Sequence, residues 1–514
     1  MLIFVKGPNS SGKSRYAEGL IGKMGHPRYY IATMKPYGDA GKRKVEKHIR
    51  QRRHLLMTTV EDPFLEKSVK EIPDGAVVLL DDLTNLLGNR YFEKGDGAEE
   101  VFEDICRLSE RMADLVVVSI SGYDENEYDG ETKEFIRMIN KLNEMTASAA
   151  GRVVEMENIE GILEKIEGPD EESVKLAQKR QAKLAKPPGS LGKLEDISIK
   201  IAGITGQVKN EIPKKRILVF AADNGIIEEN VSSAPRYVTM TQAVNMTYGK
   251  TGMSSMAKHF GDEVNVIDVG IADEYTCPEI IDRKLARGTK NMLREDAMTR
   301  DEVTAAMRIG VEMAQKAKED GVSVIGIGEM GIGNTSTSTC VLCALTGKPV
   351  EEFTGRGGGL TDESFQHKKE VLEAVLKERK PDGNDVIGVL AKVGGFDIAA
   401  MCGAFLGAAY YRMPVVIDGY ISAVAALCAV RLAPLSKEYM FPSHASEEPG
   451  YMLAMKEMGL SPWLMLGMRL GEGSGCVVAF QVMEAALSMM NGMALFGEEA
   501  KINDSYLDEI RAAE

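Results

Sequence analysis

The run Gly7-Pro-Asn-Ser-Ser-Gly-Lys-Ser14 stands directly between an apolar, strand-like stretch (Leu2 to Val5) and a helical one, and few folds accept such a junction. A GxxxxGK[ST] turn works where a strand delivers it to the opening of a helix. There the backbone amides cradle phosphates, Lys13 reaches the terminal ones and the Ser14 hydroxyl holds magnesium. Gly7, Gly12, Lys13 and Ser14 are therefore candidate nucleotide contacts. Asp81 and Asp82 end the strand-like run Val77 to Leu80, where they can hold the same cation through water. The plainer alternatives are a coincidental glycine turn and a strand capped by acidic residues.

Strand-like runs at Leu2 to Val5, Ala76 to Leu80 and Leu115 to Ile120 alternate with helical stretches up to about Ile166, the pattern of a parallel α/β sheet. Glu167-Gly-Pro-Asp-Glu-Glu172 then breaks the pattern with turn residues and charge. Beyond it Ser173 to Ala185 reads as a helix, and strands recur at Ile217 to Ala221, Val264 to Val269, Val322 to Ile327 and Val415 to Ile417. At 514 residues the chain exceeds one ordinary core. The expectation is an α/β protein with two parallel-sheet domains, residues 1–166 and 173–514, joined by a linker at 167–172.

Composition narrows the partners. A net charge of -15 argues against nucleic acid, whose phosphate backbone is bound chiefly by clustered Lys and Arg. Seven cysteines, an odd number without framework spacing, suit a reducing cytoplasm. Cys340 and Cys343 form a CxxC inside an apolar helical stretch and read as core packing. Met1 to Val5 is too short an apolar run for a signal peptide. The apolar stretch Ile398 to Tyr411 is too short to span a bilayer and reads as a buried helix feeding the strand Val415 to Ile417, so no membrane partner is expected.

The chemistry concentrates in three glycine-rich turns of the second half. Arg469-Leu-Gly-Glu-Gly-Ser-Gly475 sets Glu472 between Gly471 and Gly473, with Ser474 opening an apolar helix, so a carboxylate can approach a bound ligand and take its proton. Gly328-Glu-Met-Gly-Ile-Gly-Asn-Thr335 follows a strand and opens a helix, which places Glu329 beside free amides at the carboxyl end of a sheet. Thr354-Gly-Arg-Gly-Gly-Gly-Leu360 adds a guanidinium suited to phosphate. Together they suggest a sugar-phosphate site.

From about residue 170 to 500 the chain resembles the nicotinate-nucleotide:dimethylbenzimidazole phosphoribosyltransferase family, which makes the lower-ligand nucleotide of cobalamin. The resemblance rests on Lys186-Pro-Pro-Gly-Ser-Leu-Gly192, Phe220-Ala-Ala-Asp-Asn-Gly225, Val238-Thr-Met-Thr-Gln242, Ile267-Asp-Val-Gly270, the three glycine turns, Val393-Gly-Gly-Phe396, Pro414-Val-Val-Ile-Asp-Gly419 and Ser443-His444. It implies a Rossmann-like sheet with a smaller helical domain, a homodimer, and nicotinate mononucleotide and dimethylbenzimidazole or a related base as substrates. It also implies no cofactor for the transfer and no metal in this domain. Glu472 matches the family's general base and Glu329 its other active-site carboxylate. Gly331, Gly333, Asn334, Thr335, Gly355 and Arg356 are candidates for the 5'-phosphate, and Lys368 aligns with a family lysine. Gln242, Met330 and Leu470 would line the flat base. Asn224 replaces a frequent family histidine, and Ala234 stands where a serine can border the base, so the preferred base stays open.

The first half resembles, more faintly, the adenosylcobinamide kinase/adenosylcobinamide-phosphate guanylyltransferase family, through the phosphate loop, Tyr30-Ile-Ala-Thr33, the basic helix Arg43 to Arg53, and Asp82-Leu-Thr84 with Asn89. The resemblance implies GTP or ATP with magnesium as ligand, and His48 as the group that accepts the nucleotide covalently. Pro8, Ser10 and the run Ile120-Ser-Gly-Tyr123 depart from the family pattern. Phosphate binding survives these departures, whereas guanylyl transfer and a non-catalytic, nucleotide-binding regulatory role remain open alternatives.

Overall fold

The computed structural model describes residues 1–9, 11–35, 56–497, 499–502 and 505. The chain divides into two compact units, Met1–Gly161 and Ile162–Glu514.

In the first unit, strands β1 (Leu2–Gly7), β2 (Arg28–Ala32), β3 (Thr58–Glu61), β4 (Val77–Asp81), β5 (Asp114–Ile120) and β6 (Arg152–Glu155) form a parallel sheet in the order β3-β2-β4-β5-β1-β6. The near-continuous apolar sequences of β1, β4 and β5 follow from burial on both faces. Alternation then sorts them: Leu2, Phe4, Val78, Leu80, Leu115 and Val117 pack under one layer of helices. Ile3, Val5, Val77, Leu79, Val116 and Val118 pack on the other face against Ala17 and Ile21 of the helix Lys13–Ile21.

The second unit holds β7 (Lys215–Ala222), β8 (Glu263–Gly270), β9 (Ile281–Asp282), β10 (Val324–Met330), β11 (Val415–Ile417) and β12 (Met440–Pro442), again all parallel, in the order β12-β11-β10-β7-β8-β9. The chain runs outward from β7 through β8 and β9, then returns to β10 on the other side of β7. The boundary between β7 and β10 is thus a switch point, where open parallel sheets leave a crevice beyond the strand ends. β10 extends further than the sequence suggests. Its ladder continues through Glu329 to Phe220 and Met330 to Ala221, so Glu329 lies within the strand and does not sit in the following turn.

The apolar run 398–411 is the helix Phe396–Tyr410, buried along its length, and both cysteines of the CxxC are buried in the helix Asn334–Thr346. Among the described residues no helix is long and apolar enough to cross a membrane. Phe396–Tyr410 lies against the helix Arg300–Glu319 with backbones touching at two glycines. A Cβ on Gly403 would stand 1.8 Å from the Met307 carbonyl oxygen, and one on Gly310 would stand 1.9 Å from that of Ala400. Gly403→Ala is therefore expected to force the helices apart and cost about 1–3 kcal/mol, read as a lowered Tm. An unchanged Tm would show that this contact is not close-packed.

Candidate functional site

The carboxyl ends of β7, β10 and β11 present Asp223 and Asn224, Glu329, and Asp418, all buried. Glu329 is held from both sides: the Asn334 side-chain amide and the Glu472 backbone N–H donate to its two oxygens, the latter at 3.3 Å. The same Asn334 amide donates to Asp397 at 3.1 Å. Burial, with Asp397 and Asp418 nearby, pushes the Glu329 carboxyl up to about 8, against the lowering effect of the Asn334 hydrogen bond. Burial likewise raises Asp397 to about 6.

Glu472 adopts a left-handed backbone, φ 65°, between Gly471 and Gly473 at 79° and 92°. That conformation is uncommon for a residue with a Cβ, and three in succession need glycines at the flanks. The loop is pressed onto β10: a Cβ on Gly328 would stand 2.5 Å from the Glu472 carbonyl, and one on Gly471 2.4 Å from Glu329 Oε1. Asp418 fastens it from below by accepting the Gly473 amide at 2.9 Å and the Gly475 amide at 2.6 Å, where the helix Ser474–Gly492 opens. The side chain of Glu472 is buried, and its Oε2 has no hydrogen-bond partner. Burial raises its pKa, partly offset by the polar groups of Thr251 and the Met253 amide nearby.

Lys368 lies on the helix Asp362–Arg379, whose charged sequence suggests solvation, yet it is 1% exposed. Its ammonium donates to Thr335 Oγ1 at 3.0 Å and to the Gly355 carbonyl at 3.1 Å. Burial lowers it to about 8, partly offset by the Glu448 carboxylate. Lys368, Thr335, Gly355 and Gly357 thus form one cradle, while Gly331 and Gly333 lead into the helix carrying Thr335. Two residues grouped with the phosphate by sequence are engaged elsewhere. Asn334 serves the carboxylates, and Arg356 pairs with Asp362 at 2.5 Å over the Phe365 ring. Met330 is buried, Gln242 is half-buried and accepts from Asn245 at 3.0 Å, and Leu470 stands exposed against Gly252.

Sequence reasoning missed Asp397 and Asp418 as site residues. The available signals were Gly-Gly before a helix whose first turn holds Asp397, and Asp-Gly immediately after an apolar strand.

In the first unit Lys13 is buried and donates to the Pro8 carbonyl at 3.0 Å, and Gly12 has φ 85°. Gly7 admits no side chain, since a Cβ would stand 2.3 Å from the Met156 carbonyl. Ser14 donates to Asp81 at 3.1 Å, and Tyr30 donates to the other oxygen at 3.0 Å. Asp81, and not Asp82, meets the loop serine. Asp82 caps the helix Leu83–Lys94 by accepting the Asn85 amide at 2.7 Å. Burial, then the Asp81 charge, raises Asp82 to about 6. The Ser14 hydroxyl and the Asp81 carboxylate are the oxygen donors a divalent cation takes, and Lys13 with the loop amides is the kind of group that holds phosphate. His48 lies outside the described residues.

A family model described as "Phosphoribosyltransferase" matches residues 166–502. The chain belongs to this phosphoribosyltransferase family. A second model, "Cobinamide kinase / cobinamide phosphate guanyltransferase", matches residues 3–165, so the phosphoribosyltransferase is fused to a phosphate-loop domain of that kind. Nicotinate-nucleotide–dimethylbenzimidazole phosphoribosyltransferase of Clostridium perfringens strain 13 is 50% identical over 353 residues, 69% of this chain and 98% of that protein. The Clostridium tetani protein of the same name is 45% identical over 359 residues, 70% and 99% of the two chains. A crystal structure of the enzyme from Thermus thermophilus superposes with a TM-score of 0.61 at 34% identity, covering 65% of this chain and 99% of that one. Both sequence resemblances therefore hold.

The raised Glu329 pKa has a consequence for stability. A carboxyl whose folded pKa lies above its unfolded value of 4.5 stabilises the fold fully below that value and loses the contribution as pH climbs to about 8. Glu329→Gln keeps the shape without the charge, so its Tm is expected to gain on the wild type as pH rises from about 5 to beyond 8. Parallel Tm curves across that range would show that Glu329 titrates as an ordinary carboxylate.

Proposed function

We propose that the phosphoribosyltransferase unit moves the phosphoribosyl group of nicotinate mononucleotide onto a nitrogen of 5,6-dimethylbenzimidazole or a related base. The products are nicotinate and the α-ribazole 5'-phosphate of cobalamin lower-ligand synthesis, with inversion at C1'. One observation carries the roles: Glu472 offers a buried carboxylate oxygen with no partner, on a loop fixed over Glu329.

The glycosidic nitrogen of the donor is cationic and becomes neutral on departure, so the leaving group needs little help. The nucleophile is the harder half. As one azole nitrogen bonds to C1', the opposite N–H becomes acidic, and Glu472 accepts that proton. Glu329 faces the developing positive charge on the sugar. A nearby cation lowers a carboxyl pKa, so the bound donor itself favours the ionised form that stabilises the transition state. Lys368 and Thr335 with the amides around Gly355 take the 5'-phosphate. Met330 and the half-buried Gln242 border the base.

Full-length protein given nicotinate mononucleotide and 5,6-dimethylbenzimidazole is expected to form α-ribazole phosphate, resolved by chromatography. Glu472→Gln is expected to lower kcat by about 10²–10⁴-fold, the usual contribution of a positioned base. A variant of undiminished rate would remove Glu472 from the mechanism.

For the phosphate-loop unit the supported reading is binding of GTP or ATP with magnesium. Lys13 and the loop amides would hold the phosphates, Ser14 and Asp81 the cation, and a bound triphosphate would supply a transferable phosphoryl or nucleotidyl group. Calorimetric titration of the whole chain is expected to show Lys13→Ala weakening nucleotide binding at least about tenfold, the loss of a charge-assisted contact. Equal affinity in the two proteins would make the loop a structural turn.

A further inference from the structure

Glu448 belongs to the segment Ser443-His-Ala-Ser-Glu-Glu-Pro449 after β12, which no part of the mechanism above uses. Its Oε2 is fully buried and has no hydrogen-bond partner. The oxygen lies against Gly355, so close that a Cβ there would stand 1.9 Å away, and Gly355 is the residue whose carbonyl accepts from Lys368. Glu448 therefore borders the phosphate cradle.

The same segment reaches the other end of the site. Ser446 Oγ and the Gly471 Cα both lie 3.9 Å from a Cβ placed on Gly419, which sets Ser446 beside the loop that carries Glu472. The Ser446 hydroxyl accepts the Glu448 amide at 3.4 Å, and the Glu447 amide donates to the Met468 carbonyl at 3.1 Å. Residues 446–448 thus run from the neighbourhood of the loop that carries Glu472 to the Gly355 side of the phosphate cradle. In a nucleoside monophosphate, the group between the base and the phosphate is the ribose.

An acceptor-only carboxylate beside a phosphate cradle calls for a donor. A phosphate dianion has none and would be repelled, whereas the two neighbouring hydroxyls of a ribose supply two. We propose that Glu448 binds the 2'- and 3'-hydroxyls of the donor nucleotide and so restricts the enzyme to ribonucleotides. This rests on the phosphoribosyltransferase reading and adds the sugar contact to it. In this role Glu448 positions the substrate, and its negative charge also balances Lys368.

The test compares kcat/KM for nicotinate mononucleotide with that for its 2'-deoxy and 3'-deoxy analogues, using the full chain. The wild type is expected to prefer the ribonucleotide by about 10- to 100-fold over at least one analogue, the range for a hydrogen bond to a charged group. Glu448→Ala is expected to bring that preference within about threefold by losing activity on the ribonucleotide while sparing the analogue. Glu448→Gln, which keeps one acceptor and the side-chain volume, is expected to fall between them and serves if the alanine variant does not fold. A preference that survives both substitutions, or a wild type that accepts all three nucleotides equally, would overturn the proposal. Failure of the wild type to convert nicotinate mononucleotide at all would instead overturn the transferase reading, and this inference with it.

Discussion

The site depends on how closely the end of the chain can press against β10. That strand reads Val-Ile-Gly-Ile-Gly-Glu-Met, and its two glycines fall on one face of the sheet. A side chain on Gly326 would collide with Cys476 Cβ at 2.5 Å, and one on Gly328 with the Glu472 carbonyl at 2.5 Å. Removing both side chains lets the helix Ser474–Gly492 and its leading loop lie directly on the strand. Only then does the Glu472 amide reach Glu329, 143 residues earlier in sequence. The two carboxylates are therefore placed by backbone contact, which is harder to deform than a contact between long side chains.

Packing of this kind buries charge, and the electrostatics follow from it. Glu329, Asp397 and Asp418 lie in one region, each satisfied chiefly by amide donors: Asn334, the Ile398 amide, and those of Gly473 and Gly475. Amides supply partial positive charge without a counterion, so the carboxyl pKa values stay raised. Lys368, bonded to Thr335 and Gly355, has its own pKa lowered by burial. A substrate with a cationic ring at one end and a phosphate at the other matches this polarity, and it relieves the burial penalty at both ends as it binds.

Sequence shows some of this and hides the rest, for reasons visible in particular residues. Long apolar runs such as β5 and β7 identify themselves because both sheet faces are covered, whereas β9 and β12 span two and three residues and carry no periodicity to detect. Glu329 and Glu472 are legible because glycines flank them locally. Lys368 is reached only through the family resemblance, and its burial is hidden because its partners Thr335 and Gly355 arrive from other elements. Asp418 and Asp397 act through partners more than 50 residues away. The engagement of Arg356 by Asp362 is a local ion pair that a glycine-rich motif does not announce.

The acidic pair of the phosphate-loop unit shows how strand geometry divides roles between adjacent residues of identical chemistry. Asp81 is the last residue of β4 in register with its neighbours, pairing with Ala32 and Val118, and its side chain meets Ser14 and Tyr30. One residue further the chain has left the ladder. The Asp82 backbone is gripped by Thr33, which donates to its carbonyl at 2.7 Å and accepts its amide at 2.9 Å, while its carboxylate is committed to the Asn85 amide. With the Asp82 carboxylate turned to the helix it caps, only Asp81 addresses the loop. The one in register with Ala32 takes that place, and its neighbour starts the next helix.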